Sequence, residues 1–389
     1  MSADVVIVGG GVIGSSIAYH LLAIAPGTSV CVIERDPSYR AASSALSASS
    51  IRQQFSTPVN IAMSRYGMTF LKSIGEHLAV DDTEPAIGLT ERGYLYLASA
   101  TTRETMLASH ATQKQFGADV TLLEPPELAR RFPWMTVDGI ALASLGLSAE
   151  GWFDGYSLLQ AFRLKARALG AEYLTAEVVR FEMQAERISS VVLADGRRVS
   201  CGNVVNAAGP HARSVAAMAG VDLPVYPDKH CIFVFDCKEP PPESPLVIDP
   251  SGLYVRPDGR RFLCGAPRQD DSRREGQTLE VETDLFDTVV WPLLAARVPA
   301  FESIRMTAAW AGFYEMNVLD ENAILGKPPN RSNLYLANGF SGHGMQHSPA
   351  AGRGIAELIL LGEYRTLDLR PLGYDRLLQN KPLRELIAS

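Results

Sequence analysis

No CxxC pair, no run of basic residues and no apolar stretch long enough to cross a bilayer occurs in this sequence of 389 residues, and each absence removes a class of protein. The five cysteines, Cys31, Cys201, Cys231, Cys237 and Cys264, are odd in number and lack metal-ligand spacing, so they read as reduced core residues of a cytosolic protein, and no metal site is expected. Acidic residues outnumber basic ones by 43 to 36, giving a formal charge of −7. With no basic cluster to meet a phosphate backbone, nucleic acid is not an expected partner. The apolar start of the chain resembles a secretion signal only superficially, since Asp4 precedes it, no Lys or Arg does, and glycines interrupt it. An integral membrane segment is therefore not expected, and the expected location is cytoplasmic.

What is present is enough apolar material, 47% of residues against 20% charged, for two cores. The β-branched run Asp4 to Val8 reads as a strand buried on both faces, and Gly9-Gly-Gly-Val-Ile-Gly14 follows it directly. Ile13, Ile17, Leu21 and Ile24 recur at helical spacing with Gly27 just beyond, and Ser29 to Glu34 reads as a second strand ending on an acid. In such a unit Gly9 makes the tight turn, Gly11 lets a pyrophosphate approach backbone N–H groups at the helix N-terminus, and Gly14 allows close helix–strand packing. Glu34 is placed to accept hydrogen bonds from a ribose hydroxyl pair. The motif alone leaves NAD and FAD open. The following segment, Ala41-Ala-Ser-Ser-Ala-Leu-Ser-Ala-Ser-Ser50, is small and hydroxyl-rich, suited to a backbone that hugs a long extended cofactor.

Three separated blocks then carry a resemblance to the D-amino-acid-oxidase-like flavoproteins, the glycine oxidase and sarcosine oxidase group. They are the N-terminal unit with Ser43, Ser44 and Ser49-Ser-Ile-Arg-Gln-Gln-Phe55; Ala176-Glu-Val178 with Asn203-Val-Val-Asn-Ala-Ala-Gly-Pro210; and Ala337-Asn-Gly-Phe-Ser-Gly-His-Gly-Met345. The Gly-Phe-Ser-Gly-His-Gly string and Trp310-Ala-Gly-Phe-Tyr-Glu315 are similar to sarcosine oxidases, sarcosine and dimethylglycine dehydrogenases, and a related group with respiratory-complex assembly roles. The resemblance implies an α/β plus antiparallel β fold: a discontinuous Rossmann-like FAD-binding domain (1–85, 145–222 and 305–389) and a smaller α+β substrate domain on a mixed or antiparallel sheet (86–144 and 223–304). Residues 92 to 97, Leu253 to Arg256 and Arg261 to Gly265 read as strands of that sheet, the last two as a hairpin turning at Pro257-Asp-Gly259, with helical filler over Asp284 to Leu294.

The resemblance implies FAD contacts from Gly9, Gly11, Val12, Ile13, Gly14, Glu34 and Arg35, then from Ser43, Ser44, Ser49, Ser50 and Ile51. It implies further contacts from Val178 at the adenine, Ala207, Ala208 and Gly209 at the nucleotide half, Gly312, and the loop Gly339, Gly342, His343, Gly344 and Met345 under the flavin. A helix expected to begin near Ser348-Pro349 aims its positive end at that loop, where reduced flavin carries negative charge. Some relatives attach FAD through a cysteine in the segment that here reads Ala311-Gly-Phe313, or through a histidine after the first unit. Neither residue is present, so noncovalent FAD is expected.

The expected chemistry is oxidation of the C–N bond of a small amine, amino acid or N-methyl amino acid by hydride transfer to flavin N5, with water hydrolysing the imine. The acceptor is oxygen or an electron-transfer partner. Glycine oxidases place arginines where this chain has Tyr314 and Gly342. Sarcosine oxidases place a lysine at Gln346 and an arginine near Phe55, and their oxygen-activating lysine has no match between Lys238 and Lys327, which tilts the expectation toward a dehydrogenase. Candidate substrate residues are therefore Arg52 and Arg256 for a carboxylate, Tyr254 and Tyr314 for the wall, and His343 for backbone contacts or as a base. His230 reads as structural. Oxidation of a 2-hydroxy acid, or a flavin-bearing assembly factor with little turnover, remains open at this point, as does the oligomeric state.

Overall fold

The computed structural model describes residues 1–266 and 278–386. The part of the 223–304 segment at 267–277, including Pro267 at the end of its expected β-rich stretch, lies outside them.

Alternation along residues 5–8 of strand Ser2–Val8 explains why that strand is central. Val5 and Ile7 enter one apolar cluster while Val6 and Val8 enter another on the opposite face. The first cluster is closed by helices Val12–Ile24, Pro58–Lys72, Gly155–Ala168 and Gly344–Leu361, through Ile17, Leu21, Met63, Leu159, Phe162 and Ile355. The second is closed by Phe181, Ile188 and Val191 of an antiparallel meander and by Ala212 and Val215. Ser2–Val8 pairs in parallel with Arg198–Asn206 on one side and Val30–Glu34 on the other, and Glu172–Thr175 and Leu334–Asn338 extend the parallel core. Only Ile324–Gly326 and the meander run antiparallel.

The second sheet runs, strand beside strand, Ile304–Asn317, Val225–Cys237, Arg261–Gly265, Tyr254–Asp258, Leu246–Ile248, Tyr94–Ala98, Leu142–Gly146 and Val120–Leu123. All neighbours are antiparallel except Leu246–Ile248 with Tyr94–Ala98. The expected hairpin around Pro257-Asp-Gly259 forms, with Asp258 opposite Arg261. Strand Ile304–Asn317 differs from the expected grouping. It falls inside the 305–389 segment yet pairs along its whole length with Val225–Cys237, from Val225 opposite Asn317 to Cys237 opposite Ile304.

Period-two alternation also decides what this sheet shows to each side. Leu95, Leu97, Cys231, Phe233, Phe235, Val255 and Ala311 pack with Phe286, Val290 and Leu294 of the following helical segment. Their in-between neighbours Tyr94, Tyr96, Asp228, His230, Ile232, Tyr254, Arg256, Gly312 and Tyr314 therefore share the other face. Among the described residues no helix is long and apolar enough to cross a membrane.

Candidate functional site

The nucleotide end begins at the glycines. Gly9 has φ +101°, and a Cβ on it would lie 2.3 Å from the Ala207 carbonyl oxygen, so the Ala207–Gly209 turn rests directly on this loop. A Cβ on Gly14 would lie 1.9 Å from the carbonyl oxygen of Gly9. Gly11 differs, because a Cβ there would meet only the Ser44 hydroxyl at 3.3 Å, which leaves that approach open to a ligand. Ser44 Oγ accepts from the Val12 N–H at 3.1 Å, and the neighbouring Ser43 hydroxyl is buried without a partner. An orphaned buried hydroxyl beside the first turn of a helix suits an anionic group bridging loop and helix. Glu34 accepts from Gly10 N–H at 2.8 Å and Asp36 N–H at 2.9 Å, which fixes the carboxylate while leaving acceptor capacity on both oxygens. Arg35 is exposed and meets His211 Nε2 at 2.5 Å, next to the Ala207–Gly209 turn, and Val178 is buried at the start of its strand.

A single cleft joins this end to the loop 339–345. Its wall includes Val12, Ile13, Ser43, Ser44, Gly312, Tyr314, Gly342, Gly344 and Met345 from the expected set, together with Leu46, His230, Ile232, Glu315 and Phe340. The residues fit FAD: a glycine loop with a helix N-terminus, an unpaired hydroxyl, and a cleft running from them to the loop 339–345 against the second sheet. Ser49, Ser50 and Ile51 stand behind the wall instead. Ser50 and Ile51 pair with Gly151–Trp152, and Ser49 sits at φ +51° with its carbonyl accepting from Phe153 N–H.

The helix expected from Ser348-Pro349 begins earlier, at Gly344, with His343 at its N-cap and Pro349 inside its second turn. Proline has no N–H for the Met345 carbonyl four residues back, and the Ser348 hydroxyl donates to that carbonyl at 2.9 Å instead. The positive helix end therefore lies within the glycine loop itself. Glu315 was not foreseen. Its carboxylate accepts from Gly339 N–H at 3.1 Å and from Phe340 N–H, and its own carbonyl accepts from Ser341 N–H. It thus holds the loop against the second sheet. Burial pushes the Glu315 carboxyl up to about 8, although part of its surface still faces the cleft.

Arg52 is 7% exposed, and its guanidinium lies 4.4 Å from the Phe55 ring centre and 5.8 Å from that of Tyr96. Nη2 donates to His343 Nε2 at 3.1 Å, and Nε is buried with no partner. Among the described residues no carboxylate comes within ion-pair distance of it, the nearest packing being Tyr96, Phe55 and His343. Burial, then the adjacent Arg52 and His347, hold the His343 imidazole far below its usual range. His343 is therefore neutral with its Nε2 lone pair already used, an arrangement unsuited to taking up a proton. Arg256 departs from the expected carboxylate ligand. Its Nη2 donates to the Ala48 carbonyl at 2.8 Å, its Nη1 to Pro257 O and Asp258, and the guanidinium lies over Trp152. It clamps the 43–51 segment to the sheet.

Tyr314 stacks on His230 with ring centres 3.9 Å apart, and its ring fills the space a Cβ on Gly342 would need, 2.7 Å away. Burial pushes Tyr314 up to about 12 and Tyr254 well above the usual phenol range. Glu150, also unforeseen, is 1% exposed and accepts from Gln53 N–H at 2.6 Å and Gln54 Nε2 at 2.9 Å, fixing the backbone next to Arg52. Its burial pushes the carboxyl up to about 7. In the sequence Glu315 closes the Trp310-Ala-Gly-Phe-Tyr-Glu315 string and Glu150 stands between Ala149 and Gly151, and neither was singled out as a site residue. Among the described residues no cluster of three or more His, Cys, Asp or Glu side chains could hold a metal.

Residues 4–358 match the model of the FAD dependent oxidoreductase family. The chain belongs to this family. Its cofactor is FAD. The chain is 42% identical to the FAD-dependent oxidoreductase domain-containing protein 1 of Xenopus laevis, over 98% of this chain and 84% of that protein. It is 28% identical to mouse mitochondrial dimethylglycine dehydrogenase, over 96% of this chain but 44% of that enzyme. Among solved structures, L-proline dehydrogenase from P. horikoshii superposes with a TM-score of 0.86 at 25% identity, covering 98% of this chain and 99% of that one.

Proposed function

We propose that this flavoprotein oxidises the C–N bond of a small amino acid or N-methyl amino acid whose carboxylate is held by Arg52. The observation that carries this reading is the buried Arg52 guanidinium, with one unpartnered nitrogen and no carboxylate beside it among the described residues. A buried cation without a counter-ion is costly, and an incoming carboxylate removes that cost with charge-assisted hydrogen bonds. Tyr96 lies 5.8 Å from the Arg52 guanidinium, and Tyr254 and Tyr314 share its sheet face, so these rings would wall a substrate held at Arg52. Phe55, near which sarcosine oxidases carry an arginine, packs its ring on the Arg52 guanidinium instead. When bound, FAD accepts the hydride from the carbon beside the nitrogen. The chain's own part is to align that C–H bond, exclude water and keep the amine neutral.

Two of the similar proteins are named as dehydrogenases of proline and dimethylglycine, which supports an amino-acid substrate with a substituted nitrogen. The lack of a lysine between Lys238 and Lys327 favours an electron-transfer partner over oxygen. Noncovalent FAD agrees with Ala311 and Phe313 flanking Gly312, where no thiol is available. The test is anaerobic bleaching of the FAD-loaded protein by glycine, sarcosine, dimethylglycine, L-proline, D- and L-amino acids and 2-hydroxy acids. Fast bleaching by an amine with release of ammonia, formaldehyde or a cyclic imine is the expected result. Bleaching by 2-hydroxy acids alone, or by dithionite alone, would overturn the reading.

A further inference from the structure

An amino acid reaches a neutral solution as an ammonium zwitterion, and its C–H bond cannot leave as hydride until the nitrogen regains its lone pair. One proton must go to a base. Two imidazoles lie near the cleft, and their neighbours differ in sign. His343 shares a hydrogen bond with the Arg52 guanidinium at 3.1 Å, so a second proton there would place two cations in contact. His230 has a carboxylate instead, with Asp228 Oδ2 3.2 Å from its Nε2.

The strand fixes this pair by its period. Asp228 and His230 are two apart on Val225–Cys237 and project from one face, the face that also carries Tyr314 on the neighbouring strand. Asp228 is buried and His230 has a side chain 20% exposed, with part of it on the cleft wall. A carboxylate only accepts, so the hydrogen sits on Nε2 and Nδ1 keeps its lone pair. Stacking on Tyr314 at 3.9 Å and 24° fixes the ring plane, while Tyr314 itself abuts Gly342 of the flavin loop. An acid orienting an imidazole that faces a ligand cleft is the arrangement expected of a general base.

We propose that His230, oriented by Asp228, takes the proton from the ammonium of the bound amino acid. This rests on the amino-acid reading given above. In the step, an N–H bond of the ammonium breaks, its electron pair stays on nitrogen, and an N–H bond forms at Nδ1. The imidazolium is balanced by Asp228, and the proton later leaves through the cleft. Among the described residues, the charged and titratable groups around His230 include Asp228 on its own strand, Tyr314 and Glu315 on the adjoining strand, and Tyr254 and Arg52 beyond Tyr314. Arg52 opposes the imidazolium, but a carboxylate bound there cancels it, so substrate binding itself favours proton transfer to His230.

Imidazole-nitrogen NMR of the FAD-loaded protein tests the base directly. Without substrate His230 is expected to carry its hydrogen on Nε2, facing Asp228, with Nδ1 bare, and this preference is expected to be lost in D228N. A His230 hydrogen found on Nδ1 instead overturns the proposal whatever the substrate. Anaerobic flavin reduction by sarcosine and L-proline against pH tests the role. H230Q is expected to slow reduction at pH ~7 by roughly 100-fold and to remove the acid limb of the profile, with D228N intermediate and FAD content unchanged. Reduction by an amine with the wild-type profile in H230Q overturns His230 as the base but leaves the amino-acid reading intact. Failure of every amine to reduce wild-type flavin overturns both.

Discussion

Arg52 and Arg256 carry the same charge and reach comparable burial, yet their surroundings assign them different work. Arg256 turns all three of its nitrogens to Ala48, Pro257 and Asp258, whereas Arg52 keeps Nε unpaired. Arg52→Met should therefore raise the half-saturating amine concentration in anaerobic bleaching by about 30- to 100-fold, the loss of one or two charge-assisted hydrogen bonds. FAD content should be retained. Arg52→Lys should recover little, since an ammonium cannot reproduce the fork. An unchanged concentration dependence in Arg52→Met would remove Arg52 as the carboxylate ligand.

Buried carboxyls make a second prediction at this scale. Glu150 and Glu315 hold their protons more tightly in the folded chain, at about 7 and about 8 against 4.5 for an ordinary glutamate. Between those values the folded state binds more protons than the unfolded one, so rising pH costs stability across that window. Buried His20 and His347, lowered to about 3, act in the opposite direction, adding stability as pH rises toward 6.5. Glu357, lowered to about 2, has contributed fully by pH 4.5 and is flat above it. The comparison of E150Q with wild type isolates one group. Its Tm relative to wild type should climb from about pH 5 to about pH 7 and level off beyond, in thermal melts of the FAD-loaded proteins. A constant difference over that range would show that Glu150 does not titrate there.

At the level of elements, the N-terminal strand, glycine loop and helix were legible because each glycine meets a specific steric limit, and the hairpin around Pro257 because its turn residues separate two alternating runs. The start of the last helix was not. Pro349 looks like a first-turn proline, but Ser348 repairs the hydrogen bond it deletes and the helix extends back to Gly344. That repair is measurable. Ser348→Ala leaves the Met345 carbonyl unpaired in a fully buried position and should cost about 1–3 kcal/mol in urea unfolding. A cost near zero would mean that the helix start does not depend on the hydroxyl. Glu315 and Glu150 were missed for a related reason: each is satisfied by backbone N–H groups distant in sequence, Gly339 and Gln53, and no local pattern announces such partners. The role of strand Ile304–Asn317 was hidden as well, because its partner Val225–Cys237 is fixed by tertiary pairing rather than by any turn between them.

Across the whole molecule, the cleft is assembled from segments as far apart in sequence as Val12, His230 and Met345, and its two walls belong to different sheets. Direct ties between those walls include Trp310 Nε1 and Arg256 donating to the carbonyls of Leu46 and Ala48, Gly312 closing on Leu46, and Glu315 holding the Gly339 loop. FAD held by the residues of this groove would meet both walls, so its binding energy should stabilise both sheets together. At free FAD 100-fold above its Kd the gain is about 2.7 kcal/mol. Hydrogen exchange of FAD-loaded against FAD-stripped protein should then show added protection in Ser2–Val8, in the paired strands Val225–Cys237 and Ile304–Asn317, and at Gly339 to His343. If stripping FAD loosens only the N-terminal unit and leaves the paired strands as protected as before, the second sheet owes nothing to the cofactor, and the substrate wall is rigid on its own account. Concerted loss would mean that His230, Tyr314 and Arg52 reach their working geometry only when the groove is filled.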